Sequence, residues 1–375
     1  MQGTLRRFSR RSLLAGLGSV PLFAAGTKGT SFPPDTRRYP DPLTDLEVYR
    51  LTDPSYSSTL PASYNRIITR NSASMLFCCD REGSPQAFRI DLRRGEEKQL
   101  TQVDQLDGRS LTLTPDNRSF CFFAGRSLYI AGMTSLRERE LYRIPEGWER
   151  CDGLAVGPDG THATFAEKRN GQSRIRMVTL VQGAARTVVE APFEISDPIP
   201  RPRRAQILYR NADQSLWLVN SDGTQNRQLK TADGRVGPAN WSPDGRTVLY
   251  LNFPPDKTQL NTIREMTPDS NTDKLLAKTS QFAAFGFNSD SSVFVGASRN
   301  LSSPTVLLLL RTTRREFSLC EHKASDPDAV APIFSPDSQR IYFQSDRHGK
   351  PAIYSMHVEK LVEKTGEEEE KEKGE

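Results

Sequence analysis

The sequence predicts an all-β fold, a seven-bladed β-propeller. A Ser-Pro-Asp-Gly-type turn phrase recurs along the chain, roughly every 44 residues. Each copy precedes an apolar strand such as "TVLYLNF", and polar turns then separate further short strands. Four short antiparallel strands per repeat are typical of one propeller blade, which must stack on its neighbours to bury both of its faces.

The number of copies of the turn phrase predicts seven blades. Pro presets φ, while Asp and Gly tolerate the dihedral angles of the turn, so the same residues suit the same bend in each blade. A pair of β-sandwiches and a six-bladed ring remain as alternatives. The copies are centred near residues 72, 116, 159, 203, 244, 290 and 337.

Residues 1–25 read as an export signal of the twin-arginine type. The stretch "SRRSLL" precedes a short apolar run that is too short to span a bilayer comfortably. We therefore expect a periplasmic or secreted protein with no stable membrane insertion after export. An ordinary signal or a short anchor is the alternative interpretation.

The remaining boundaries follow from composition. Residues 26–44 contain several prolines and predict an irregular lead-in, residues 45–358 form the propeller, and residues 359–375 form a charged, disordered tail. The early strand "LEVYRLT" is expected to join the last blade, because pairing the first and last strands closes the ring.

Charge and cysteines exclude several function classes. The net charge is +5, and the basic runs are not interleaved with aromatic residues, which argues against nucleic-acid binding. The five cysteines lack CxxC spacing, and most of them are interpreted as small core residues rather than as a disulfide framework or a metal site. Phosphate-loop, GxSxG and HExxH motifs are absent from the sequence.

Several phrases of the chain match known propellers in order and spacing. They are "VYRLTDP" at Val48, "DPIPRP" at Asp197, "LWLVNSDG" at Leu216, "NWSPDG" at Asn240 and "APIFSPDSQRIYFQSDRHGKPAIY" at Ala331. On these phrases the repeats resemble the Tol-system periplasmic propeller, and the whole propeller region is similar to the oligogalacturonate lyases. The resemblance to the lyases implies a seven-bladed fold and β-elimination of pectin fragments, with histidines and a manganese ion in the central channel.

The lyase histidines are absent from the matching positions. β-Elimination needs a base for the proton beside a uronate carboxylate and a cation that neutralises that carboxylate. The five positions where the family has histidine are Asp197, Pro238, Ala284, Ala329 and Ala331. From this departure we expect no catalytic residue of the lyase type, no metal site and no cofactor.

The four histidines that are present, His162, His322, His348 and His357, are scattered and read as surface or hydrogen-bonded residues. Arg201 matches the family motif and is the candidate substrate-binding residue, since a guanidinium pairs with a carboxylate in bidentate fashion. A blade-surface arginine is the alternative.

Two functions follow from the sequence. In the first, the protein binds acidic oligosaccharides and has reduced or no lyase activity. In the second, it is a non-enzymatic propeller that binds a protein partner, as in the Tol system. Convergent arginine, lysine, tyrosine or asparagine side chains in the channel would favour the first, and an apolar or plugged channel the second.

Overall fold

The computed structural model describes residues 27–358 and residue 361. The predicted export signal and nearly all of the predicted tail lie outside these residues. Apart from residue 361, the helical residues within the described ranges belong to two 3-10 helices, Gly108–Ser110 and Pro327–Val330. Within these ranges no helix has the length and apolar character needed to cross a bilayer.

The first half of the described chain contains fifteen strands. They are β1 Ser31–Phe32, β2 Arg37–Pro40, β3 Glu47–Arg50, β4 Ser58–Thr59, β5 Ser74–Cys79, β6 Gln86–Asp91, β7 Glu97–Gln99, β8 Thr112–Leu113, β9 Ser119–Ala124, β10 Ser127–Gly132, β11 Glu138–Arg143, β12 Glu149–Val156, β13 His162–Arg169, β14 Gln172–Thr179 and β15 Ala185–Ala191.

The second half contains another fifteen. They are β16 Ile195–Pro200, β17 Gln206–Asn211, β18 Leu216–Asn220, β19 Arg227–Gln228, β20 Arg235–Trp241, β21 Val248–Phe253, β22 Thr262–Thr267, β23 Thr272–Lys278, β24 Phe282–Phe287, β25 Val293–Ser298, β26 Thr305–Leu310, β27 Glu316–Glu321, β28 Ile333–Phe334, β29 Arg340–Ser345 and β30 Ala352–His357.

These strands form seven antiparallel sheets, which confirms the predicted seven-bladed propeller. Blade 1 contains β4–β7, and blades 2 to 6 follow as β8–β11, β12–β15, β16–β19, β20–β23 and β24–β27. Blade 7 contains β28–β30. The first strand of each blade lines the channel, so the inner strands are β4, β8, β12, β16, β20, β24 and β28.

The ring closes as the sequence predicts. Strand β3, which carries part of "LEVYRLT", pairs antiparallel with β30, with Tyr49 opposite Ser355. Val48 is fully buried in the cluster that blades 6 and 7 share. Strands from the two ends of the propeller therefore form one sheet, and separating them would expose both an apolar face and unpaired backbone groups.

The lead-in differs from the prediction, because residues 26–44 are not wholly irregular. Strand β1 adds to the outer edge of blade 1 by pairing with β7, and β2 pairs with β3 at the edge of blade 7. An open sheet edge presents unpaired N–H and C=O groups, and these short strands satisfy them. Composition alone did not reveal that available edge.

One backbone hydrogen bond recurs in the turns of all seven blades. The backbone N–H of the first turn residue donates to the carbonyl five residues later, over 2.7 to 3.1 Å. In the copy at Ser242 the hydroxyl also donates to Asp244 over 2.7 Å, and Gly245 has φ of +72°. The pairs are Thr69–Ser74, Thr114–Ser119, Gly157–His162, Arg201–Gln206, Ser242–Thr247, Asn288–Val293 and Ser335–Arg340.

The apolar core lies between adjacent blades. Phe123 of blade 2 packs edge-on against Phe165 of blade 3, with ring centroids 5.0 Å apart, and similar clusters join the other blades. All five cysteines are buried and unpaired, which confirms their prediction as core residues. Because each cluster is shared by two blades, a single blade would leave its apolar faces exposed.

Candidate functional site

A chain segment from blade 1 runs into the central channel between β4 and β5. This channel segment, residues 60–66, is held by blade 7 and blade 2. The N–H of Leu60 donates to Gln344 Oε1 over 2.7 Å, and Ala62 N–H donates to the Arg109 carbonyl over 3.1 Å. Tyr64 then reaches blade 4, on the far side of the ring. The segment thus separates an entrance side, where the inner strands begin, from a turn side, where they end.

The inner strands bulge where they enter the channel. The register of β16 shifts between Ser196 and Ile199, and that of β20 between Val236 and Ala239. Asp197 lies inside the first bulge with φ of +47°, a left-handed conformation that is costly for a residue with a Cβ atom. Bulges redirect side chains, and the carboxylate of Asp197 consequently faces the entrance side.

A cavity of about 510 Å³, the entrance cavity, opens between the channel segment and these bulges. The five positions at which the resemblance implies lost histidines all line it, although they come from four separate blade regions. They are Asp197, Pro238, Ala284, Ala329 and Ala331. The fold therefore brings together residues that are far apart in the sequence.

Asp197 forms the polar centre of this cavity. Tyr64 Oη donates to Asp197 Oδ1 over 2.8 Å, and Arg210 Nε lies 3.8 Å from Asp197 Oδ2. Burial, followed by the charge of Asp197, raises the pKa of Tyr64 well above its ordinary value, so the phenol keeps its proton. Burial lowers the pKa of Arg210, whose guanidinium also donates to the carbonyl of Gly237.

Two further arginines line the entrance cavity without a carboxylate partner among the described residues. Arg109 and Arg235 are both exposed. The guanidinium of Arg235 stacks on Phe253, 4.0 Å from the ring centroid. The other acidic residue of the lining, Asp328, is already paired with Arg299 over 2.5 Å. The unpaired charge of the cavity is therefore positive and suits an anionic ligand.

Arg201, the substrate-binding candidate from the sequence, does not line the entrance cavity. It occupies the first position of the blade 4 turn, and its side chain is 1% exposed. Nε donates to the Gly245 carbonyl over 2.7 Å, and the guanidinium pairs with Asp269 over 3.0 Å and stacks on Trp241. These contacts join the turns of blades 4 and 5, which is a structural role.

The four histidines are dispersed. His322 is buried, and burial lowers its pKa, while its two ring nitrogens bond to the Ser298 carbonyl over 2.9 Å and the Ala324 N–H over 3.0 Å. His348 bonds to the hydroxyl of Tyr354, and His357 packs against Tyr49. His162 bonds to Thr161 at the start of β13. This placement agrees with their prediction as surface or hydrogen-bonded residues.

The residues of the cavity do not fit a manganese ion. Divalent cations with useful affinity need several convergent oxygen or nitrogen ligands. Asp197 already accepts from Tyr64 and faces Arg210, and Asp328 is paired with Arg299. In residues 27–358 and 361, no group of three or more histidine, cysteine, aspartate or glutamate side chains is placed to hold a metal.

Comparison with known proteins adds to this geometry. No family model matches the chain. It is 24% identical to the oligogalacturonide lyase of Pectobacterium atrosepticum, covering 88% of this chain and 98% of that protein. The chain is thus similar to the oligogalacturonate lyases over most of its length. A solved oligogalacturonate lyase in complex with manganese superposes with a TM-score of 0.84 at 23% identity, over 88% of this chain and 98% of that one.

A shorter similarity connects the chain to the Tol system. The protein TolB of Hamiltonella defensa is 29% identical over 104 residues, which is 27% of this chain and 24% of that protein. This match is local, whereas the lyase match covers most of the chain.

No sequence motif identified Tyr64, Arg109, Arg210 or Arg235 as site residues. For two of these residues, the position within the blade repeat is informative. Arg109 precedes the inner strand β8, and Arg235 begins the inner strand β20. Basic residues at the start of inner strands face the entrance once the fold is known. Tyr64 carries no such signal, because it lies in a segment without a counterpart in the other repeats.

Proposed function

We propose that the protein is an exported propeller that binds acidic oligosaccharides in the entrance cavity and cleaves them poorly or not at all. One observation carries the proposal: Arg109 and Arg235, without carboxylate partners in the part of the chain that the structure describes, line the cavity where the five family positions meet. The similarity to oligogalacturonide lyase suggests oligogalacturonate as the ligand class.

The charge and shape of the arginines suit uronate carboxylates. A guanidinium donates two parallel hydrogen bonds to a carboxylate, and such charge-assisted bonds are stronger than neutral ones. A digalacturonate carries two carboxylates, which matches the two unpaired arginines. The phenol of Tyr64 and the amides of Gln214 and Gln344 supply polar groups for sugar hydroxyls on the same lining.

Weak or absent cleavage follows from the proton chemistry of the cavity. β-Elimination requires a group that accepts the proton beside the carboxylate. Tyr64 holds its own proton, because its pKa is raised well above the ordinary value. The carboxylate of Asp197 already accepts a hydrogen bond from Tyr64 and faces the guanidinium of Arg210. Loss of a positioned base typically costs about 10²- to 10⁴-fold, and loss of the stabilising cation adds to this.

Calorimetric titration with digalacturonate and trigalacturonate tests the binding. Arg109→Gln and Arg235→Gln should each weaken binding about tenfold or more, since a hydrogen bond to a charged group contributes about 1.5–3 kcal/mol. Arg93→Gln removes one charge from an exposed hairpin outside the cavity lining and should leave affinity unchanged. Equal affinity for the methyl-esterified disaccharide would contradict carboxylate recognition.

The absorbance of the unsaturated uronate tests the cleavage. Purified protein with digalacturonate, with and without added manganese, should give little or no increase in ultraviolet absorbance. Turnover typical of a lyase would overturn this part of the proposal and point to a different base in the cavity. If neither binding nor turnover is observed, the result would instead favour a propeller that binds a protein partner, as the local similarity to TolB suggests.

Export is tested by fractionation. The chain begins with a basic stretch that includes "SRRSLL". Replacing Arg10 and Arg11 by lysine should leave the protein in the cytoplasm if the twin-arginine route carries it. Unchanged export of this variant would show that another route is used.

A further inference from the structure

A second group of cavities lies on the turn side of the channel segment. One has a volume of about 240 Å³ and the other about 340 Å³, and both are lined by Asn65, Arg66, Asn240 and Pro243. We call the two together the turn-side cavities. They adjoin the entrance cavity, because the smaller one shares Ser63, Pro238, Ala239 and Phe285 with it and the other shares Tyr64. Their charged lining differs, since Arg109 and Arg235 line only the entrance cavity and Arg66 lines only the turn-side cavities.

The backbone around Arg66 is fixed on both sides. Its carbonyl accepts from Leu113 N–H of blade 2 over 2.7 Å, and the next carbonyl, that of Ile67, accepts from Leu76 N–H of blade 1 over 2.8 Å. Arg66 is therefore presented to the channel from backbone that is hydrogen-bonded on both sides rather than from a free loop. Strand β5 of blade 1 and strand β8 of blade 2 thus fix the position of this backbone.

The Arg66 side chain has no hydrogen bond or ion pair to another described residue. Its Nη1 is closed off from solvent without an acceptor. Burial and the neighbouring charge of Arg70 both lower the pKa of Arg66, and no carboxylate acts in the opposite direction. The side chain as a whole is half-buried, but Nη1 is removed from water, and charged groups removed from water are normally paired. Nη1 therefore lacks the partner that its environment calls for.

The lining of both cavities contains no acidic side chain. The acidic residues that are nearest in the sequence belong to the recurring turns, where their carboxylates accept hydrogen bonds from turn residues. Asp244 accepts from Ser242 Oγ over 2.7 Å and from Arg246 N–H over 2.9 Å. Asp337 accepts from Ser335 Oγ and Gln339 N–H in the same way.

Asn240 supplies a second donor on the same lining. Its Oδ1 accepts from Trp241 N–H over 2.8 Å, which leaves its Nδ2 group without an acceptor among residues 27–358 and 361. A guanidinium and an amide N–H group that share both cavities present donors and no competing carboxylate. This combination recognises an oxyanion.

We propose that the turn-side cavities form a second binding site, in which Arg66 and Asn240 hold a small oxyanion, either a carboxylate or a phosphate. The site does not rest on oligosaccharide binding, because neither Arg66 nor Asn240 lines the entrance cavity. The anion neutralises Arg66 and fastens the channel segment to blade 5, which carries Asn240.

Titration calorimetry with inorganic phosphate and with acetate, at constant ionic strength, tests the site and distinguishes the two anions. Wild-type protein should bind one of them saturably. Arg66→Gln should weaken that binding about tenfold or more, Asn240→Ala should weaken it less, and Arg66→Lys should retain part of it. Arg93→Gln serves as the charge-matched control and should bind as wild type does.

The double variant Arg109→Gln/Arg235→Gln separates this site from the entrance cavity. It should lose oligogalacturonate and keep the small anion, while Arg66→Gln should do the reverse. Absence of saturable binding in the wild type would overturn the proposal, as would full binding in folded Arg66→Gln. Loss of the small anion only in the double variant would assign it to the entrance cavity and equally overturn the proposal. If Arg66→Gln does not fold, the comparison of Asn240→Ala with wild type decides.

Discussion

Replacing Arg201 by methionine removes the guanidinium that joins the turns of blades 4 and 5. Methionine keeps much of the apolar stem against Trp241 but loses the bonds to the Gly245 carbonyl, at 2.7 Å, and to Gln206 Oε1, at 2.6 Å. Both bonds are made by a side chain that is 1% exposed, so water does not replace them after the substitution.

The expected loss of unfolding free energy is about 3 kcal/mol. Hydrogen bonds from a charged donor contribute about 1.5–3 kcal/mol each, and part of that sum is returned because the charge no longer has to be buried. The pair with Asp269 adds little, since that carboxylate is 44% exposed and its charge is screened by solvent.

Urea unfolding followed by tryptophan fluorescence measures this change, and Arg204→Met is the matched control. Arg204 pairs with the same Asp269 over 3.2 Å but is 58% exposed, so its loss should cost less than about 1 kcal/mol. Equal unfolding midpoints for wild type and Arg201→Met would refute the interblade role.

The same variant decides the substrate-binding prediction for Arg201 that the sequence motif suggested. Titration of folded Arg201→Met with digalacturonate should give wild-type affinity, because Arg201 does not line the entrance cavity. A tenfold loss of affinity in the folded variant would show that Arg201 reaches the ligand after all.

Three further outcomes are expected. Burial raises the pKa of Glu97 to about 7 despite Arg81 at 3.1 Å, so this carboxyl favours folding below pH 4.5 and loses that contribution as the pH rises to about 7. In urea titrations, Glu97→Gln should therefore stabilise the protein by about 3 kcal/mol at pH 8 and hardly at pH 4.5. A stabilisation that is larger at pH 4.5 than at pH 8 would contradict the burial argument. Gly245→Ala should destabilise the protein by about 2 kcal/mol, because φ is +72° and the added Cβ would lie 2.4 Å from the Pro202 carbonyl oxygen. Gly171→Ala, where φ is +79° and a Cβ would meet open space, should destabilise the protein less. Equal losses of stability in the two variants would rule out the clash. Elemental analysis of folded protein purified without chelators should find no stoichiometric transition metal, whereas about one manganese per chain would show that the positions assigned to the lyase histidines are wrong.

The sequence determined the fold because the fold depends on a repeated local signal. The turn copies at Ser242 and Ser335 both begin Ser-Pro-Asp because each turn must satisfy the same backbone groups within five residues. The closing strand was also predictable, because "LEVYRLT" has the alternation of a strand and no blade of its own. The edge strands β1 and β2 were not, since only an assembled sheet offers an edge to pair with.

The tertiary structure decided the roles of the arginines. Arg201 lies in a family motif, yet its turn position directs the guanidinium into the contact between two blades rather than into the channel. Arg109 and Arg235 have no motif, yet two inner strands bring them to one cavity, and a segment with no counterpart in the repeat carries Arg66 into the other. A turn is specified by residues that are adjacent in the chain, whereas the charge of a channel is the sum of side chains from several blades. Only the closure of the ring determines which of them remain unpaired.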